Sequence, residues 1–195
     1  INFIFNEAGW NIGDNLFTLN NLSNKFIIVN SLFFFYLIPF FITNFYKENI
    51  KLLQKKNFSI LGVLLFIFIV LCLKFDFEAA YKLTNSGGGF FYNFSKLIIQ
   101  NNLILFLASF FGFLIIISSF YNNYSNIILF ITIIFSNPQL TLWQANYSPF
   151  IFMIIFLLLE LKYKNTIISN KSIFSLFIYF TVYLLSNIFL KMYYI

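Results

Sequence analysis

The 195-residue chain has no histidine and no arginine, one cysteine, three prolines and six acidic residues. Without histidine there is no His-ligated metal or haem, no Ser-His-Asp triad and no imidazole base among these residues, and without arginine there is no arginine finger. Cys72 has no second cysteine to pair with, and its apolar surroundings in the sequence predict a buried, inert thiol. Charge is scarce as well: 9% of residues are charged, against about a quarter in a soluble domain. What fills the space is apolar, 61% of the chain, with 32 Phe and 12 Tyr and a mean hydropathy of +0.86. Such a composition cannot clothe a globule of this size in polar surface, so the expected solvent is largely lipid. The abundance of Asn, Ile, Phe, Lys and Tyr reads as AT-rich coding bias, and the Asn-rich stretches as drift of the same origin.

A bilayer crossing needs about 20 apolar residues, within a range of roughly 17 to 25. Six stretches reach or approach that length: 26–45, 58–73, 103–120, 124–135, 147–161 and 173–190. They are apolar on all sides, without the alternation of a barrel strand, so the expected fold is all-α: a polytopic transmembrane helical bundle of about six spans in a single domain, 1–195. The fourth stretch is short enough to be re-entrant. The lysines then set an orientation. With the loops after the first span and before the last on the cytoplasmic side, that side carries seven Lys against two acids, and the opposite side five Lys against four acids. This obeys the positive-inside rule and places the N-terminus, residues 74–102 and residues 136–147 together on the extracytoplasmic or lumenal face. Glu160, near Lys162 and Lys164, is expected to snorkel and pair.

Three polar constellations fall on that face. Around Asn11, Gly13 and Asp14, the carboxylate either caps the following helix or accepts from sugar hydroxyls. In residues 74–97, Lys74, Asp76, Glu78 and Lys82 form either an interfacial ion-pair ladder at helical spacing or, with Lys96, a site where ammonium groups hold a phosphate and Asp76 or Glu78 orients a hydroxyl. Gly87, Gly88 and Gly89 would let backbone N–H groups approach a ligand, or simply turn the chain, since no P-loop signature follows. In residues 135–150, Pro138 and Pro149 punctuate the backbone, and Gln139, Trp143, Gln144 and Tyr147 supply the aromatic and amide mixture of carbohydrate sites or, alternatively, an aromatic belt. Nothing in the chain points to nucleic acid.

Taken in order, Asn11, Gly13 and Asp14, then Lys74, Phe75, Tyr81, Leu83, Phe91 and Lys96, then Pro138, Gln139, Tyr147 and Pro149 resemble the C-terminal half of the GT-C polytopic glycosyltransferases, closest to the dolichyl-phosphate-glucose-dependent alpha-1,2-glucosyltransferase family. Thr84, Asn85 and Ser86 stand where that family carries a more polar stretch with Arg and His, which suits a bacterial relative using a polyprenyl-phosphate sugar. The resemblance implies transfer of a sugar from a polyprenyl- or dolichyl-phosphate carrier to a glycan or lipid-linked acceptor. The carboxylates of Asp14, Asp76 and Glu78 would be catalytic, and Asn11, Lys82, Lys96, Gln139, Trp143, Gln144 and Tyr147 substrate-binding. A divalent metal is compatible with the carboxylates but not required. Because the chain begins with Ile1, it is expected to be the C-terminal part of a larger enzyme. The alternatives are a non-catalytic hydrophobic subunit of an organellar or bacterial membrane complex and, more remotely, a transporter.

Overall fold

The computed structural model describes residues 19–40, 58–77, 87–120, 124–136, 144–153 and 169–193, and among them the regular structure is all helical. Seven helices lie in the described residues: α1 (Leu19–Phe40), α2 (Phe58–Leu73), α3 (Gly89–Ile98), α4 (Leu103–Phe120), α5 (Tyr124–Ser136), α6 (Gln144–Met153) and α7 (Asn170–Tyr193). Each of the six expected apolar stretches therefore overlaps a helix, α2 and α4 with the same limits. The 10-residue α3 was not anticipated, because its Gly-rich entry reads as a loop.

The protein divides into two compact units, one formed by Ile1–Tyr36 with Lys56–Leu159, the other by Leu37–Lys55 with Glu160–Ile195. In the first unit α1 is the central element: Ile27, Ile28, Val29, Leu32 and Phe33 are almost wholly buried, and no side of the helix between them faces outward. Phenylalanine supplies most of its packing. The Phe26 ring meets Phe113 edge-on at 5.2 Å, and Phe34 stacks between Phe91 at 5.7 Å and Phe111 at 5.6 Å. Such ring pairs contribute about 0.5–1.5 kcal/mol each beyond their burial. The α1 and α4 backbones approach closely at one point. A Cβ on Gly112 would lie 2.1 Å from the Asn30 carbonyl oxygen, so only glycine fits there.

α3 and α4 form a hairpin whose turn is held by Ser95. Its hydroxyl donates to the Asn101 carbonyl at 2.7 Å and accepts from the Ile104 N–H at 3.2 Å, while the Asn101 side chain accepts from the Leu103 N–H at 2.9 Å. These bonds occupy N–H groups that a helix start leaves unsatisfied. Of the two prolines expected to punctuate the backbone, Pro138 lies outside the described residues and Pro149 lies inside α6. Pro149 removes one N–H from the ladder yet sits near the middle of α6 without ending it, and Pro39 is likewise inside α1, one residue before its last.

In the second unit, α7 turns part of its polarity inward, while Thr181, Ser186 and Asn187 are exposed. Ser172 is buried, Ser175, Tyr179 and Tyr183 are half-buried, and Ser175 donates to the Pro39 carbonyl at 2.9 Å. Ile173, Phe174, Phe177, Ile178, Val182, Leu185 and Ile188 face outward, from 46% exposed at Ile178 to 67% at Phe177. Among the described residues two helices are long and apolar enough to cross a membrane: Asn20–Phe40, 78% buried within the protein, and Asn170–Ile188, 6% buried. Gly62–Leu73 and Leu103–Ile117 are shorter apolar helices.

Candidate functional site

Asp76 follows the end of α2 in a stretch, residues 75–77, without regular structure. The helical register expected to align Lys74 with Glu78 is therefore absent over its described part: α2 stops at Leu73, where the Lys74 and Phe75 N–H groups still reach back to Val70, Leu71 and Cys72 carbonyls. Asp76 is instead gripped by the first turns of α1. Its Oδ2 accepts from Asn20 Nδ2 and its Oδ1 from Asn24 Nδ2, both at 2.8 Å, while its own N–H donates to Asn24 Oδ1 at 3.1 Å. Asn20 and Asn24 are four residues apart, so one helical face presents both amides. One turn in, the Ser23 hydroxyl donates to the Leu71 carbonyl. These bonds tie the start of α1 to the end of α2 and hold an exposed carboxylate in one orientation.

The triple glycine enters α3 with φ of 120°, 71° and 81°, values open to glycine and strained for other residues. Space demands glycine as well. A Cβ on Gly88 would strike the Tyr92 ring at 2.5 Å, and one on Gly89 would meet Leu32 at 2.7 Å. Immediately after, the Phe90 N–H donates to Gln144 Oε1 at 2.8 Å. Gln144, at the first position of α6, thus satisfies a donor at the start of α3. Its Nε2 donates to the Tyr36 hydroxyl at 3.3 Å, which also bonds the Ser148 hydroxyl, and Ser148 donates to the Gln144 carbonyl at 2.7 Å.

Lys96 lies in the last turn of α3, with its ammonium 5.7 Å from the centre of the Tyr92 ring, a cation–π contact. The Tyr92 hydroxyl donates to the Phe77 carbonyl at 3.3 Å, next to Asp76. Tyr147 is 3% exposed and turned into the first unit, so it offers no open ring face to a sugar. Buried acceptor oxygens of Asn93 and Asn102 make no hydrogen bond within the protein.

Of the residues expected to act, Asp76, Lys96, Gln144 and Tyr147 lie in the described part, whereas Asn11, Asp14, Glu78, Lys82, Gln139 and Trp143 lie outside it. The stretch 74–97 is joined to α1 through Asp76 and to α6 through Phe90 and Gln144. Sequence reading missed Asn20, Asn24, Tyr36 and Ser148. The four-residue spacing of the two asparagines was the available signal, obscured by the richness of the whole chain in Asn. Cys72 is free and half-buried, less enclosed than expected. Among the described residues no three His, Cys, Asp or Glu side chains gather where they could hold a metal ion. Comparison with family models, curated proteins and solved structures returned no match to this chain.

Proposed function

We propose that the chain is a multi-pass membrane glycosyltransferase, or the C-terminal part of one, that transfers a sugar from a polyprenyl- or dolichyl-phosphate carrier to an acceptor on the extracytoplasmic or lumenal face. The observation that carries this reading is the junction at residues 74–97. Two stretches nominated separately from the sequence meet there, the glycine turn and Gln144, and Asp76 is held there by the start of α1. The outward apolar face of α7 supports the membrane setting, since water is a poor solvent for a helix that exposes Phe174, Phe177 and Val182 while Ser172 is buried and Ser175, Tyr179 and Tyr183 are half-buried. In the reaction an acceptor hydroxyl attacks the anomeric carbon, the bond from that carbon to the carrier phosphate breaks, and the hydroxyl proton passes to a carboxylate. Asp14, Asp76 and Glu78 are the carboxylates proposed for orienting or deprotonating that hydroxyl, and Lys82 and Lys96 are proposed to receive the departing phosphate.

The test is sugar transfer from a radiolabelled polyprenyl-phosphate sugar in proteoliposomes. Asp14→Asn and Asp76→Asn are expected to abolish transfer while leaving expression intact, and full activity in both removes these residues from the site. A second reading, a non-catalytic membrane subunit, draws on a specific observation. Asp76, Lys96 and Gln144 are each engaged by partners within the chain, as structural residues would be. It predicts co-purification with a large complex and no dependence on a lipid-linked sugar.

A further inference from the structure

α3 has 10 residues and spans about 15 Å, half of a hydrocarbon core of about 30 Å, so it cannot cross a bilayer. Its inner face holds Gly89, Tyr92 and Ser95, all buried. Its outer face is Phe94, Leu97 and Ile98, 39, 63 and 56% exposed. Positions 94, 97 and 98 stand three and four apart, so they form one stripe along the helix. Beyond the turn the stripe has a counterpart on α4, where Leu103, Leu107 and Phe111 recur every four residues and are about half exposed.

Water is an unfavourable occupant for these faces. The hydrocarbon core is unfavourable for what lies between them: Gln100 and Asn101 have exposed side chains, and Gln100 sits at φ 57° in a turn closed by side-chain bonds. Lys96 fits neither solvent alone. Its stem runs back along α3 and its ammonium rests near the Tyr92 ring, half-buried, as a snorkelling lysine does at a polar–apolar boundary. An apolar stripe, a polar turn and a boundary lysine on an element too short to span have one common solution, the interfacial layer of a lipid leaflet.

We propose that α3 is a monotopic element. It lies in the interfacial layer with Phe94, Leu97 and Ile98 in the upper acyl region and Lys96 with the Gln100–Asn102 turn residues among the headgroups. The proposal rests on the membrane reading above and adds to it the depth at which this polar junction sits, the level of lipid-borne phosphates. It commits to lipid as the occupant of this face, and a protein partner is an outcome of the test.

The experiment uses the full chain carrying Cys72→Ala, with single cysteines at Leu97→Cys, Ile98→Cys, Leu103→Cys and Val182→Cys. Each is labelled with an environment-sensitive fluorophore and reconstituted in phosphatidylcholine–phosphatidylglycerol vesicles. Quenching is read with nitroxides placed shallow or deep on the acyl chain, and with aqueous iodide. Interfacial elements sit about 5–10 Å below the headgroup boundary, so the Leu97 and Ile98 probes are expected to be quenched about twofold or more strongly by the shallow nitroxide. The Val182 probe on α7 is expected to prefer the deep one. Deep quenching at Leu97 and Ile98 overturns the proposal by placing α3 in the core. Iodide quenching alone overturns it by placing α3 in water, and protection from every quencher overturns it in favour of a protein partner. If Val182 also escapes lipid quenching, the membrane reading itself has failed, a result distinct from failure at α3 alone. All four labelled positions are exposed, and agreement between neighbouring Leu97 and Ile98 guards against one variant that misfolds.

Discussion

Replacing Gly112 by alanine tests the tightest approach in the first unit. An added Cβ would lie 2.1 Å from the Asn30 carbonyl oxygen, 2.9 Å from its carbonyl carbon and 3.3 Å from Phe34 Cβ. The first two neighbours are backbone in the middle of α1, so no rotamer change relieves the overlap. α1 and α4 must separate by about 1 Å, loosening the Phe26–Phe113 and Phe34–Phe111 ring pairs that flank the crossing. Overpacking of this kind costs about 1–3 kcal/mol, occasionally more, against which alanine's better helix propensity returns about 1 kcal/mol. With backbone as the obstacle, the net expectation lies at the costly end, about 2 kcal/mol, or a fall in melting temperature of about 4–8 °C for a chain of this size. Gly62 in α2 is the matched control: nothing lies within 4 Å of its added Cβ. Gly62→Ala should therefore be neutral or stabilising by up to about 1 kcal/mol. The assay is thermal unfolding in detergent micelles, followed by intrinsic fluorescence with size-exclusion recovery. If Gly112→Ala melts with or above Gly62→Ala, the close α1–α4 crossing is refuted.

Asn24→Ala removes a donor to Asp76 and the acceptor of the Asp76 N–H together, while Asn20→Ala removes a donor alone. Hydrogen bonds to charged groups contribute about 1.5–3 kcal/mol, less where water competes, so Asn24→Ala should cost about 1–2 kcal/mol and exceed Asn20→Ala; equal losses in the same melting assay would contradict the reciprocal geometry. Val182→Lys separates lipid from water as the surroundings of α7. A lysine near the centre of a membrane helix costs about 2.5–3.5 kcal/mol, whereas on a water-exposed helix it is nearly neutral, so vesicle insertion that is unimpaired in Val182→Lys would count against a membrane span.

The sequence alone determined the helical class and the approximate place of six of the seven described helices, because long runs apolar on every side leave the backbone little alternative to bonding within its own segment. α2 and α4 emerge at the limits read from the sequence, and α5 within one residue at its end. Only the tertiary structure decided which polar groups meet. That Asp76 lies against Asn20 and Asn24, more than fifty residues earlier, depends on how α1 and α2 pack, and no local pattern encodes a contact at that separation. The glycines divide in the same way. Gly87, Gly88 and Gly89 announced a turn by their run alone, yet that Gly89 accommodates Leu32, and that Gly112 rather than Gly62 admits a neighbouring backbone, follows from the distances between helices. α3 was hidden for the converse reason: local propensity argues against a helix opening on three glycines. The Gln144 side chain, brought from α6 to satisfy the Phe90 N–H, is a tertiary contribution that propensity does not contain.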